Sequence, residues 1–194
     1  MVASWTKPQR KNKITNKMPN NQNKMPDFEK LGKKMVADAV RYSSVHALNF
    51  FKDSFQKQGW TDTAFVAWPS RTNDTRVGGA VLTQTGHLRD SLQILSRSRF
   101  KLIFGTHAPY AQIHNEGGTL SIPVTEKSRK FFWYMFKATG QVHWKWMALT
   151  KKERMVVKMP KRQFIGHSDT LMKELQNWWV GHIEKEFKKH INNL

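Results

Sequence analysis

Cysteine does not occur in the 194 residues. That removes disulfides, thiolate metal sites and cysteine nucleophiles together, and it fits a chain made and used in a reducing cytoplasm. Acidic residues are scarce, 14 against 33 Lys and Arg, which leaves a formal net charge of +19. With so few carboxylates, general acid–base pairs have little material to draw on. No apolar run approaches the roughly 20 residues that cross a bilayer, so no membrane span is expected. The opening MVASWTKPQRKNK is positive but lacks the apolar core of a secretory signal. HExxH and DxD motifs are missing, neither Gly78-Gly79 nor Gly117-Gly118 continues as a phosphate-binding loop, and no serine sits in a nucleophile elbow. His107 and His114 flank Tyr110 beside Asn115 and Glu116, but Pro109 interrupts the helix that would align them. They read as helix-terminal histidines satisfying backbone groups. Neither catalysis nor a cofactor nor a metal is expected.

What the chain does have is a globular composition, 39% hydrophobic and 24% charged, and a strong positive field. Such a field attracts polyanions, nucleic acid above all. Acidic faces on oligomer neighbours would match it equally well.

Residues 1–26 form a basic extended arm. They carry Lys7, Arg10, Lys11, Lys13, Lys17 and Lys24, five Asn and no acid. A segment this polar cannot offset its ordering entropy alone, so it should order only against a partner, either DNA or a neighbouring subunit. MPDFEKL at Met25 reads as the start of a single domain, residues 27–194.

Asp27 can cap a long helix on which Phe28, Leu31, Met35, Ala39, Tyr42, Leu48, Phe51 and Phe55 recur near helical spacing, with Gly59 as its stop. Thr63–Trp68 reads as a strand ended by Pro69, and 70–80 as a loop. Thr85 is placed to cap a short helix with Leu88, Leu92 and Leu95 on one face. Arg99–Thr106 alternates as a strand, and Tyr110–Asn115 forms a short helix ended by Gly117-Gly118. Ser121–Thr125 reads as a strand, Glu126–Phe136 as a helix, and Arg154–Met159 as a strand ended by Pro160. Ser168 or Asp169 caps a final helix that buries Leu171, Leu175, Trp178, Ile183 and Phe187. This order predicts an α+β domain, a small antiparallel sheet packed by long N- and C-terminal helices.

Phe131, Phe132, Trp133, Tyr134 and Phe136 come in one run, followed by Trp144 and Trp146. Neighbours on a helix point about 100° apart, so they cannot all face one core. Three readings remain open: a protein–protein contact, a satellite core, and base stacking on single-stranded nucleic acid.

Three stretches in order carry a resemblance: LTQTGHLRDS (82–91), IFGT (103–106) leading to YAQIHNEG (110–117), and PKRQFIG (160–166). Together they resemble the phage virion morphogenesis family, which includes the Mu G-like and P2 S-like tail completion proteins. They are also similar in pattern to HK97-type tail components. The motif positions are Leu82, Thr85, Gly86, Leu88, Ser91, Gly105, Thr106, Tyr110, Ala111, His114, Gly117, Pro160, Arg162, Phe164 and Gly166. The resemblance implies a non-catalytic structural protein at the head–tail junction of the virion, assembled in the host cytoplasm. It implies a homo-oligomeric ring, hexameric or dodecameric, that joins portal, adaptor, stopper or tail tube proteins and surrounds the DNA channel. It also implies that residues 119–158 project as an insertion, here rich in aromatics. The alternative is a basic DNA-binding accessory protein of packaging.

Read by their own chemistry, Gly86 and Gly105 permit tight reversals, and Gly117 permits a helix stop with positive φ. Tyr110 and Ile113 should anchor the short helix in the core. Arg162 should hold its segment to the Asn115–Glu116 turn, a structural rather than a DNA-binding role.

Overall fold

The computed structural model describes residues 27–71 and 79–191. The basic arm and Gly78 lie outside the described residues. Asp27 opens the long helix as expected: its carboxylate accepts from Lys30 N at 2.9 Å, starting α1 (Phe28–Lys57). Gly59 does not end it. The left-handed residue is Gln58 (φ 55), whose side-chain amide bonds both Phe55 O and Val81 O. Gly59 instead opens β1 (Gly59–Thr61), which pairs antiparallel with β2 (Phe65–Ala67). A Cβ at Gly59 would lie 2.4 Å from the Phe65 ring, so this glycine serves close strand approach.

Gly86 (φ 70) leads into α2 (His87–Asp90), where Thr85 Oγ1 accepts from His87 N at 3.3 Å. Leu88 and Leu92 are buried as expected, but Leu95 is exposed on a strand, β3 (Gln93–Arg97). β3 pairs antiparallel with β4 (Leu102–Gly105) through an irregularity at Ile94/Ser96. Leu95 is the residue left unpaired there, so the two-residue alternation of the strand is broken at that point. The expected strand from Arg99 begins only at Leu102, leaving Phe100 at the turn 87% exposed. Gly105 closes β4 but makes no left-handed reversal. A Cβ there would meet Leu95 Cδ1 at 2.6 Å, so its bareness makes room for the paired strand.

The short helix is α3 (Ala111–Glu116), stopped by Gly117 at φ 73. Beyond it come β5 (Gly118–Pro123), α4 (Glu126–Thr139), α5 (Val142–Leu149) and β6 (Arg154–Met159). The final helix is α6 (Asp169–Ile191), capped by Ser168 Oγ, which accepts from Leu171 N at 3.1 Å. The α+β class stands, with long helices at both ends. In place of one sheet there are three two-stranded antiparallel sheets, β1–β2, β3–β4 and β5–β6. Each strand therefore leaves one edge unpaired among the described residues.

The core joins Phe51 and Phe55 of α1 to Trp60, Trp68, Leu92 and Phe164. Along α6, Leu171 is buried but Phe187 is 40% exposed, because the far end of the helix pair is held by charge and ring stacking instead. Tyr42 stacks on Trp178 at 4.0 Å between centroids, and Trp178 stacks on His182 at 4.7 Å. Lys34 Nζ reaches Glu186 Oε2 at 2.6 Å and Asp38 Oδ2 at 3.3 Å, tying α1 to α6.

The Lys34 hydrogen bond holds the Glu186 carboxyl below its usual range, with Lys189 and His182 adding to the effect. Burial would push Asp38 up, but Lys34, Arg41 and His182 together keep it below normal. Carboxylates depressed in the folded state stabilise it above their unfolded values and lose that contribution as pH falls through their folded ones. The melting temperature should therefore decline with acid below about pH 4–5. Glu186→Gln should lower it at pH 7 and flatten that acid limb. An acid limb identical in wild type and variant would show that Glu186 does not link the helices.

Candidate assembly interface

The second and third motifs meet directly where residues 160–166 run between α3 and the end of β2. Arg162 N donates to His114 O at 2.8 Å, while Phe164 N and Ile165 N both donate to Asn115 Oδ1, at 2.9 and 3.1 Å. From the other side, Trp68 Nε1 donates to Gln163 O at 2.8 Å. The Arg162 side chain does not reach the Asn115–Glu116 turn. Its Nε donates to Pro69 O at 3.0 Å and its Nη2 to Ser70 O at 3.2 Å. Asn115 makes the expected link, because its short amide stands two residues from Gly117, where the two backbones meet. A Cβ at Gly117 would lie 2.8 Å from Lys161 N. Gly117 thus meets two demands at once, positive φ and close approach.

The first motif joins the second through hydroxyls. Ser91 Oγ pairs with Thr106 Oγ1 at 2.6 Å, Thr106 Oγ1 accepts from Ala108 N at 3.1 Å, and His87 Nδ1 meets the Tyr110 hydroxyl at 2.7 Å. Leu82 takes a left-handed backbone (φ 61) and packs on the core from its edge. Tyr110 is 40% exposed, so it does not anchor α3; Ala108 and Ala111 do, being small enough to sit flush against the core. His114 does not cap backbone with its ring. Nδ1 is buried without a partner among the described residues, and burial, then the Arg162 charge, holds the imidazole below its usual pKa. Pro160 follows β6 directly and Gly166 turns with φ 151 beside Gln163. Among the described residues no cluster of His, Asp and Glu is arranged to hold a metal ion. His107 is exposed.

The insertion packs chiefly on itself: β5 lies along β6 and α4 against α5, and none of them packs extensively on α1 or α6. Thr125 and Ser128 form a reciprocal capping box at the start of α4. Arg129 Nη1 donates to Ala148 O at 2.8 Å and Thr150 O at 2.6 Å, closing the end of α5. Phe132 is buried and stacks with Trp144 at 6.0 Å, so part of the aromatic run does form a satellite core. Phe131 flanks that pair edge-on, 6.0 Å from Phe132 and 6.1 Å from Trp144, yet is half-exposed, while Trp133, Tyr134 and Trp146 stay outside it; Tyr134 and Trp146 are each 66% exposed. Phe136 is half-buried beside Trp133. The hairpin register puts Leu120 opposite Val157 and Ile122 opposite Met155, making one apolar face. Ile122 and Val157 on that face are exposed. Two open apolar surfaces, one helical and one of sheet, thus lie on a unit that the core does not cover.

A protein-family model, the phage virion morphogenesis family, matches residues 10–184. The chain belongs to the phage virion morphogenesis family. No curated protein and no solved structure matches it. A member of this family is a structural or assembly protein of the phage virion, and no helix among the described residues is long and apolar enough to cross a membrane.

For a virion morphogenesis protein the two regions differ in kind. The motif residues from Leu82 to Gly166 meet each other and the core, so their arrangement builds the domain. The exposed aromatics touch only rings of their own helix pair, Phe131 edge-on to Phe132 and Trp144, and Trp133 to Phe136, and leave their outer faces open among the described residues. Sequence reasoning missed Asn115 as the pivot of the node, because the backbone it bonds, Phe164 N and Ile165 N, lies about fifty residues on. It also missed Trp68, whose indole N–H needs an acceptor once buried.

Proposed function

We propose that the protein is a tail completion or head–tail connector subunit of a tailed phage. It works without catalysis or a cofactor, as one copy of a ring at the neck of the virion. The observation that carries this is the self-packed insertion, whose exposed Phe131, Tyr134 and Trp146 and open hairpin face call for a neighbour. Large aromatics set in such a surface are the residue types that dominate interface energetics. A hexamer is favoured and a dodecamer is compatible, with portal, adaptor, stopper or tail tube proteins stacked on the ring. The net charge of +19 fits a channel wall that holds passing DNA without reading it. The arm, through Lys7, Arg10, Lys11, Lys13, Lys17 and Lys24, would strap a neighbour or touch that DNA.

The test is Tyr134→Ser combined with Trp146→Ser in complemented phage. Both side chains are exposed, so the melting temperature should hold while incorporation into virions falls at least about tenfold, as loss of interface hot spots requires. Cryo-EM of wild-type particles should place the protein as a ring at the head–tail junction. Purified virions lacking it would sink the reading.

A further inference from the structure

A groove of about 530 Å³ runs between the first half of α1 and the β3–β4 turn, on residues the family motifs do not include. Its floor is Val36, Ala37 and Val40; its rim is Lys33, Arg41, Arg97 and Arg99. Lys33 is paired with Glu29 and Arg41 with Asp38, both on α1 itself. Arg97 and Arg99 make no ion pair among the described residues, and the Arg99 guanidinium sits 5.2 Å from the ring of the exposed Phe100. Four cations thus frame an apolar strip, with their only acids on the helix side.

We infer that this groove docks a short acidic segment of another protein, with apolar residues on the floor and carboxylates on the rim. Three other occupants fit the chemistry worse. A DNA backbone would meet the cations but leave the valines uncovered, and covering apolar surface is what favours a peptide. The chain's own arm, with six cations and no acid in residues 1–26, is repelled. A second copy brings the same +19 and so the same sign of field. This inference needs only that the protein meets others in a particle. It is independent of the neck position and of the aromatic insertion.

The full-length protein would be titrated against a labelled synthetic helical peptide with leucines on one face and glutamates flanking them. Controls are the same peptide with Leu→Ser, the same peptide with Glu→Gln, and a short mixed-sequence DNA duplex. Two variants probe the groove: Arg97→Glu with Arg99→Glu, at an exposed turn, and Ala37→Trp, which fills the floor from an exposed helix position. Each should weaken the acidic amphipathic peptide about tenfold or more, and each control peptide should bind wild type comparably weakly. Ala37→Trp should leave duplex binding unchanged. Equal affinity for the Leu→Ser peptide would reduce the effect to general charge attraction and overturn the proposal. So would indifference of the peptide to Ala37→Trp, or a duplex that loses as much affinity as the peptide. A concentration-dependent dimer abolished by the charge reversal would assign the groove to a second copy instead.

Discussion

Phe164→Ala is expected to lower the melting temperature of the isolated protein by about 10 °C, from a loss of roughly 3–5 kcal/mol. Phe164 is 0% exposed, and its ring centroid lies 5.2 Å from that of Phe55, itself edge-on to Trp68 at 5.4 Å. Truncation would open a cavity where α1, the end of β2 and the 160–166 segment meet. Collapse into it is hindered, because the segment's backbone is pinned on both sides by Asn115 and by the Trp68 indole. Where relaxation is blocked, the cavity penalty adds to the lost transfer energy. Phe164→Leu should recover most of the loss. Thermal unfolding followed by circular dichroism measures both; a shift under about 2 °C for the alanine variant would mean that the segment is not part of the core.

The sequence made the helices legible where local chemistry decides them. Asp27, the Thr125 region and Ser168 each stand ahead of a periodic apolar pattern, and each starts a helix. β6 was readable to the residue because Pro160 ends it. Misreadings arose where a partner decides. Gly59 looked like a helix stop, but its bareness serves the Phe65 ring, information held only in the β1–β2 pairing. Leu88, Leu92 and Leu95 have helical spacing by coincidence, since α2 ends at Asp90 and the third leucine lies in a strand. The expected single sheet required knowing which strands pair, and among the described residues each hairpin pairs only with itself. The motif positions were visible as a pattern, yet their shared node was not, because it joins residues nearly a hundred apart, such as Pro69 and Arg162. The groove was hidden for the same reason: Ala37 and Arg99 become neighbours only after α1 packs beside the β3–β4 turn.

Arg162→Ala is expected to cost about 2–3 kcal/mol and roughly 4–10 °C in melting temperature. The side chain is 6% exposed and donates to two carbonyls, Pro69 O and Ser70 O, without a carboxylate partner among the described residues. Two effects oppose each other. Charge-assisted bonds to carbonyls contribute about 1.5–3 kcal/mol each, but holding a cation with little solvent costs several kcal/mol that removal would recover. The same tension shows in the guanidinium, whose pKa is lowered by burial first and then by the nearby Arg71 charge. Pro69 and Ser70 are themselves exposed, so their carbonyls can turn to water after truncation. The cost is therefore held below that of two fully lost bonds, yet stays positive because the Arg162 stem also fills the node. Arg162→Met separates the contributions: it keeps apolar stem volume and should restore about half of the loss. Phage complementation supplies the opposing outcome. A variant that melts like wild type but fails to assemble would move Arg162 from the node of the domain to a contact with a neighbour.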